Sequence, residues 1–377
     1  MIYLDNAATT EYKPDVVLDA VTDCIKNYSV NANRGTSPKA LYLQQKLLET
    51  RRKLSLLYHN GDENRVVFTA GCTAALNLAV MGNARRGHVI VSATEHNSVL
   101  RPVMQLQKKG FISLSVARPE EGKITAEQID RLWKKDTWLV CLSHASNVTG
   151  TRQDVGEVGR LVRQRNALLL TDCAQSAGYF PLDMQRECVD MAAIGGHKGL
   201  HGIQGAGALI FNDRVTPRPV TFGGTGTESS LPYQPDTLPD GLEAGTLPMP
   251  AIMAMSAGID WWLQNREKHA AVMTEMQTLL QQVKNIPHVK TYSSFNQSGI
   301  TCFNVEGMDS AEVTEALQRQ FSITVRGGLH CAPLMHRCLG TFDGGAVRAS
   351  VSCVTTRAQC FDFLNAVEQI AKYPHSF

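Results

Sequence analysis

The chain has 377 residues, 43% apolar and 19% charged, an ordinary balance for a soluble enzyme with a core large enough to divide into two lobes. A net charge of +2 argues against a nucleic-acid or acidic-membrane partner. No apolar run approaches the ~18 residues of a membrane span, and the opening MIYLDNAATT is too short and polar for a secretory signal.

The predicted elements alternate. Ser37-Pro38 reads as an N-cap with proline at the first helical position, opening a helix toward Leu57. Val66 to Thr69 reads as a strand, and Thr73 to Met81 as a helix carrying Leu76, Leu78 and Val80. A strand over His88 to Ser92 and a helix over Ser98 to Lys108 follow. Phe111 to Val116, Trp138 to Leu142 and Ala167 to Thr171 are further short apolar runs, separated by helical stretches at 126–133 and 155–165. Strands alternating with helices predict an α/β fold, a mostly parallel sheet with helices on both faces. Thr216 to Pro250 is rich in Pro, Gly, Thr and Ser and reads as a long functional loop. A long helix over Ile252 to Val283 comes next, broken at Asn285-Ile-Pro-His288. The remainder alternates strand and helix as a smaller α+β C-terminal lobe.

Ten cysteines are scattered without a CxxC pair, which argues against zinc or an iron–sulfur cluster. Without a secretory signal, a reducing cytoplasm is the simplest location. Most of these thiols read as small core residues. Cys331 differs, because it follows two glycines in Arg326-Gly-Gly-Leu-His-Cys331 and is a candidate nucleophile.

Lys198 follows the apolar strand Met191 to Ile194 and closes Gly195-Gly-His-Lys198. It is a candidate Schiff-base lysine, against the plain alternative of a solvated surface group; a reactive lysine must be partly desolvated. A lysine that holds pyridoxal phosphate and a cysteine that takes the chalcogen would together suit an enzyme that moves sulfur or selenium. Asp172 ends its strand where ligands of parallel sheets collect, and could pair a pyridine nitrogen or cap a helix. Ala70-Gly-Cys-Thr73 joins a strand to a helix, a turn whose free amides suit a phosphate. His96 could stack on a planar ring or be an ordinary loop histidine. Arg348 lies inside the strand-like run Ala346 to Val351 and needs a partner there, either a substrate carboxylate or a structural ion pair.

Taken together, these segments resemble the class V aminotransferase-like family of pyridoxal-phosphate enzymes, and within it the cysteine desulfurases and selenocysteine lyases of the short-loop type. The matching runs are Tyr3-Leu-Asp-Asn-Ala-Ala-Thr9, Asn33-Arg-Gly35, Phe68 to Thr73, Glu95-His96, Ser146-Asn-Val-Thr-Gly150, Asp172-Cys-Ala-Gln175, Gly196-His-Lys198, Gly223-Gly-Thr225, Glu243-Ala-Gly-Thr246, Arg326 to Leu334 and Val347-Arg-Ala-Ser350. The resemblance implies the pyridoxal-phosphate-dependent transferase fold of type I, with a large domain over 15–253 and a small one over 1–14 and 254–377.

It also implies residue roles. Lys198 would hold the cofactor as a Schiff base and shuttle the proton at Cα. Asp172 would hold the pyridine nitrogen, Gln175 the ring hydroxyl, and His96 would stack on the ring. Cys72, Thr73 and His197 would hold the phosphate. Asn147 would lie near the substrate carboxylate and ring hydroxyl, and Arg348 would bind that carboxylate. Cys331 would take sulfur or selenium from the amino acid, leaving alanine. The family completes its cofactor site in a homodimer, and Thr225 is the candidate to reach across. A sulfur- or selenium-acceptor protein would follow. Gly195 stands where relatives usually carry a phosphate-binding hydroxyl. Two rival readings stay open: another pyridoxal-phosphate reaction with Cys331 as bystander, and a non-catalytic sulfur-relay or scaffold protein.

Overall fold

A computed structural model describes residues 1–32 and 35–374. Asn33 and Arg34, quoted in one matching run, lie outside the described residues.

The chain opens with β1 (Ile2–Tyr3) and α1 (Asp15–Asn27), followed by α2 (Pro38–Tyr58). The Ser37 side chain accepts from the Ala40 amide, as the serine–proline start predicts. Alternation then follows: β2 (Val66–Thr69), α3 (Cys72–Gly82), β3 (Gly87–Ser92), α4 (Asn97–Lys108), β4 (Ile112–Ala117), α5 (Ala126–Arg131), β5 (Thr137–Cys141), α6 (Val155–Gln164), β6 (Leu168–Asp172), β7 (Met191–Gly195) and β8 (Gly207–Phe211).

Seven strands form one sheet in the order β2-β8-β7-β6-β5-β3-β4. Strand β8 runs antiparallel to both neighbours, and the other pairs are parallel. Every residue of β5, β7 and β8 is buried, as continuous apolar strands covered on both faces must be. One face packs on α2, α6 and the start of α7 (Met249–Leu280) through Leu43, Leu54, Val158 and Ile252. The other packs on α3 and α4 through Leu76, Val80, Val99 and Leu106.

The C-terminal part holds β9 (Val289–Thr291), β10 (Ile300–Val305), α8 (Ser310–Phe321), β11 (Ile323–Thr324), α9 (Pro333–Leu339), β12 (Val347–Ser350) and α10 (Arg357–Lys372). Strands β12-β10-β9 form an antiparallel sheet, and β1 pairs parallel with β11. Its core joins Phe303, Phe363, Val347 and Leu317 to Leu4 from the N-terminus and Met273 and Leu280 from α7. The expected α/β architecture with a smaller α+β lobe is what the chain adopts.

Candidate active site

The cavity lies at the carboxyl ends of the parallel strands, where such sheets bind ligands. It encloses about 450 Å³, within the roughly 300–1,000 Å³ of ligand sites. Five of the strands deliver its residues at or just beyond their carboxyl ends. The β2–α3 turn supplies Gly71, Cys72 and Thr73; β3 supplies Thr94 and His96; β5 supplies Ser143 and Asn147; β6 supplies Asp172 and Gln175; β7 supplies His197 and Lys198. Cys72, Thr73, His96, Asn147, Asp172, Gln175, His197 and Lys198 therefore meet in one cavity.

The β2–α3 turn depends on two glycines. Gly71, at φ 148°, caps α3 in a conformation that side chains rarely adopt. A Cβ on Gly207 would stand 2.5 Å from the Ile194 carbonyl oxygen and 2.7 Å from the Gly71 carbonyl carbon. The first amides of α3 have no intrahelical acceptor and suit an anion.

Lys198 is half-buried, and burial lowers its pKa, with Asp172 opposing. More neutral amine is thereby present near neutral pH. Asp172 Oδ1 accepts from the Ala174 amide at 2.8 Å and from the Cys72 thiol at 3.5 Å. Cys72 thus turns its thiol toward Asp172, and burial followed by that carboxylate pushes its pKa well up. Gln175 donates one amide hydrogen to the Ala7 carbonyl at 2.8 Å.

His96 is both a cavity residue and the N-cap of α4: its Nδ1 accepts from the Ser98 amide at 3.1 Å. Burial lowers its pKa, so the ring is neutral, with the proton on Nε2. Thr73 and Ser98 hydroxyls meet at 2.8 Å, tying the starts of α3 and α4 together. His197 Nδ1 faces Thr9 Oγ1 at 3.0 Å, and Thr9 donates its own hydrogen to the His197 carbonyl. His197 Nδ1 is then the donor and Nε2 is bare. Burial lowers its pKa to about 4, so holding a phosphate through Nε2 requires a proton that the anion itself would favour.

Arg348 is 2% exposed and pairs with Asp5, Nη2 to Oδ1 at 2.8 Å. Its Nη1 donates to the Asn147 carbonyl at 2.9 Å. The structural ion pair left open by the sequence is present, and Nε still lacks a partner, as does Asn147 Oδ1. These orphaned buried atoms fit a ligand with an anionic group beside a donor. A Cβ on Gly195 would meet Cys72 Cβ at 3.5 Å, ordinary contact, so this glycine leaves room rather than being sterically required.

Cys331 is exposed and lines an adjoining vestibule with Thr73, His96, Asn97, Ser98 and Arg101. Its loop is pinned on both sides. The Asn97 amide donates to the Cys331 carbonyl, and Asn147 Nδ2 to the His330 carbonyl, each at 2.7 Å. Thr225 does not line the cavity; it is 4% exposed and its hydroxyl meets Thr227. Sequence reasoning missed Asp5, Thr9, Asn97, Thr94 and Ser143 as parts of the site, although Asp5 and Thr9 stand in a quoted run.

The cavity, with its partly desolvated lysine, lies on a doubly covered parallel sheet, and comparison with known proteins gives the family. A family model described as Aminotransferase class-V matches residues 2–362, and the chain belongs to that family. The protein named "Probable cysteine desulfurase" from Methanothermobacter thermautotrophicus is 34% identical, covering 98% of this chain and 94% of the relative. The one of the same name from Pyrococcus abyssi is 29% identical over 99% of this chain and 94% of the relative. Among solved structures, the apo cysteine desulfurase of Thermococcus onnurineus NA1 superposes with TM-score 0.90 at 26% identity, covering 98% and 94% of the two chains. The Escherichia coli desulfurase CsdA shares the fold, with TM-score 0.87 at 23% identity and coverage of 98% and 94%. The fold is fold type I.

Proposed function

We propose that this chain is a pyridoxal-phosphate-dependent cysteine desulfurase or selenocysteine lyase, converting L-cysteine or L-selenocysteine to L-alanine and passing the chalcogen to Cys331. The observation that carries the reading is the convergence of Lys198, Asp172, His96 and Asn147 in one cavity, with the Cys331 loop pinned to Asn147 and Asn97 at its rim. The curated relatives named cysteine desulfurase support it.

Pyridoxal phosphate, when bound, supplies an aldehyde for a lysine amine and a ring that accepts an electron pair from Cα. The Asp172 carboxylate would keep a proton on the ring nitrogen, and His96 would stack on the ring. Gln175 has an amide hydrogen left for the ring hydroxyl, and the α3 amides with Thr73 and His197 would hold the phosphate. Arg348 Nε and Asn147 would orient the substrate carboxylate. Lys198 Nζ moves the proton at Cα. Cys331 Sγ then attacks the substrate sulfur: an S–S bond forms, the Cβ–S bond breaks with its electron pair going to carbon, and a proton completes alanine. Cys331 is left as a persulfide, from which a thiol or an acceptor protein takes the sulfur.

Thr225 contributes to the cofactor site of a second copy in this reading. The exposure of Phe222 (73%) and Tyr233 (81%) on the same loop supports a homodimer. Residues 15–253 form the large domain, and 1–14 with 254–377 the small one; the packing of Leu4 with Phe303 supports the grouping. Ten free thiols suit a reducing cytoplasm.

A screen of amino acids for alanine plus sulfide or selenide tests the reaction. L-cysteine or L-selenocysteine should turn over; turnover confined to keto-acid formation, or none after loading with pyridoxal phosphate, contradicts it.

A further inference from the structure

Behind Cys331 lies a buried pair of imidazoles that the reaction above does not use. His330 is 4% and His336 0% exposed, with ring centroids 5.4 Å apart and stacked at 27°. His330 Nε2 lies 3.2 Å from the Arg326 carbonyl oxygen, which can only accept, so Nε2 carries the hydrogen. Burial first, then Arg348, keeps His330 neutral, so its Nδ1 is an acceptor. His336 Nε2, 3.3 Å away, must donate to it. Burial holds His336 down to about 4, so it too is neutral and its Nδ1 accepts, from Thr341 Oγ1 at 2.8 Å. One tautomer satisfies the whole chain, Thr341 to His336 to His330 to the Arg326 carbonyl.

The turn held this way is strained. His330 and Cys331 have φ of 50° and 57°, left-handed values in two successive non-glycine residues. Such conformations are disfavoured for residues with a side chain and persist only where the surroundings enforce them. Two carbonyl contacts, from Asn147 and Asn97, hold the outer side of the turn. The imidazole pair holds its inner side.

We propose that His336 is a positioning residue for the Cys331 thiol: through its Nε2–H donated to His330, with its ring held in place by the Thr341 hydroxyl, it keeps the His330–Cys331 turn in the left-handed conformation that presents the thiol beside His96. The proposal rests on Cys331 as the sulfur acceptor.

The test uses three variants of the pyridoxal-phosphate-loaded protein. His336→Phe keeps ring shape and stacking without the donor. His336→Gln restores a donor near the Nε2 position. Thr341→Val removes the hydroxyl that partners His336 Nδ1 and serves if the phenylalanine variant fails to fold. Losing one buried hydrogen bond that holds the loop should lower kcat for alanine formation roughly 10-fold in His336→Phe, with KM changed less than about 2-fold. His336→Gln should recover most of the rate, and Thr341→Val should lie between. Amide hydrogen exchange of segment 326–336 should accelerate in the order of the rate losses. Unchanged kcat in the phenylalanine or valine variant, or a glutamine variant no better than phenylalanine, overturns the proposal. Sulfur found on a different cysteine of the wild-type protein sinks the acceptor reading instead, while exchange still reports whether His336 holds the loop.

Discussion

Arg348 has a partner and a vacancy in one side chain. Its Nη2 neutralises Asp5, its Nη1 fixes the Asn147 loop, and its Nε is unpaired in a buried setting. Lysine has no planar fork to serve all three directions. In the proposed reaction, Arg348→Lys should lower kcat/KM for L-cysteine about 10–100-fold, the equivalent of one charge-assisted hydrogen bond, with the cofactor's absorbance retained. Steady-state kinetics check this, and kcat/KM near wild type would remove Arg348 from the carboxylate site. At this scale the sequence was informative where a residue ends an apolar strand: Lys198, Asp172, His96 and Asn147 all follow runs whose burial forces them to the sheet's carboxyl edge. It was silent where a role depends on pairing across the chain. Nothing local marks Asp5 as the partner of Arg348, or Thr341 as the partner of the His336 ring.

The strands and helices from Val66 to Asp172 were legible to within a residue or two, because each is a short apolar run between polar turns. Strand β8 was not: Gly207–Phe211 follows a glycine-rich stretch and has no alternation, being buried on both faces. Pro250 read as the end of a loop, yet α7 starts at Met249 and carries the proline in its first turn, where no amide is needed. The run containing Glu243 matched a family pattern without a role, and the structure supplies a structural one. Glu243 Oε2 pairs with Arg51 of α2 at 2.6 Å, and Oε1 accepts from the Phe68 amide of β2 at 2.6 Å. Arg51 also donates to the Val66 carbonyl. This buried clamp ties the 216–248 loop to the strand that leads into the Gly71–Cys72 turn. Glu243→Ala leaves Arg51 buried without its counter-charge, which should cost about 3–5 kcal/mol and weaken cofactor retention. Denaturant unfolding measures the first and absorbance after gel filtration the second; a loss below about 1 kcal/mol would mean that the pair is solvated.

Across the whole molecule, buried imidazoles set the response to acid. Burial lowers His144 to about 3 and His201 and His336 to about 4, with His330 also shifted far down. Each binds a proton in the unfolded chain near the ordinary histidine value of 6.5 and resists it when folded. Their stabilisation is therefore complete above pH 6.5 and lost as pH falls toward 4, at up to about 1.4 kcal/mol per unit for each. One buried carboxyl acts oppositely. Glu95, raised to about 8 by burial and then Asp172, keeps a proton that the unfolded chain releases above 4.5. It opposes these histidines below pH 6.5 and acts without them above it. The melting temperature should peak at about pH 6–7, fall steeply in acid and decline gently toward pH 8, and Glu95→Gln should flatten the alkaline side. A melting temperature that still climbs to pH 8 would contradict this balance. The overall fold follows from composition and alternation; the pH response does not, because a histidine's burial depends on neighbours far along the chain. The most direct test of the sulfur-transfer chemistry is mass spectrometry of the pyridoxal-phosphate-loaded protein after one equivalent of L-cysteine. The peptide containing Cys331 should gain one sulfur atom as one alanine forms, and Cys331→Ala should form neither product. Sulfur on another cysteine, with full turnover in Cys331→Ala, would contradict it.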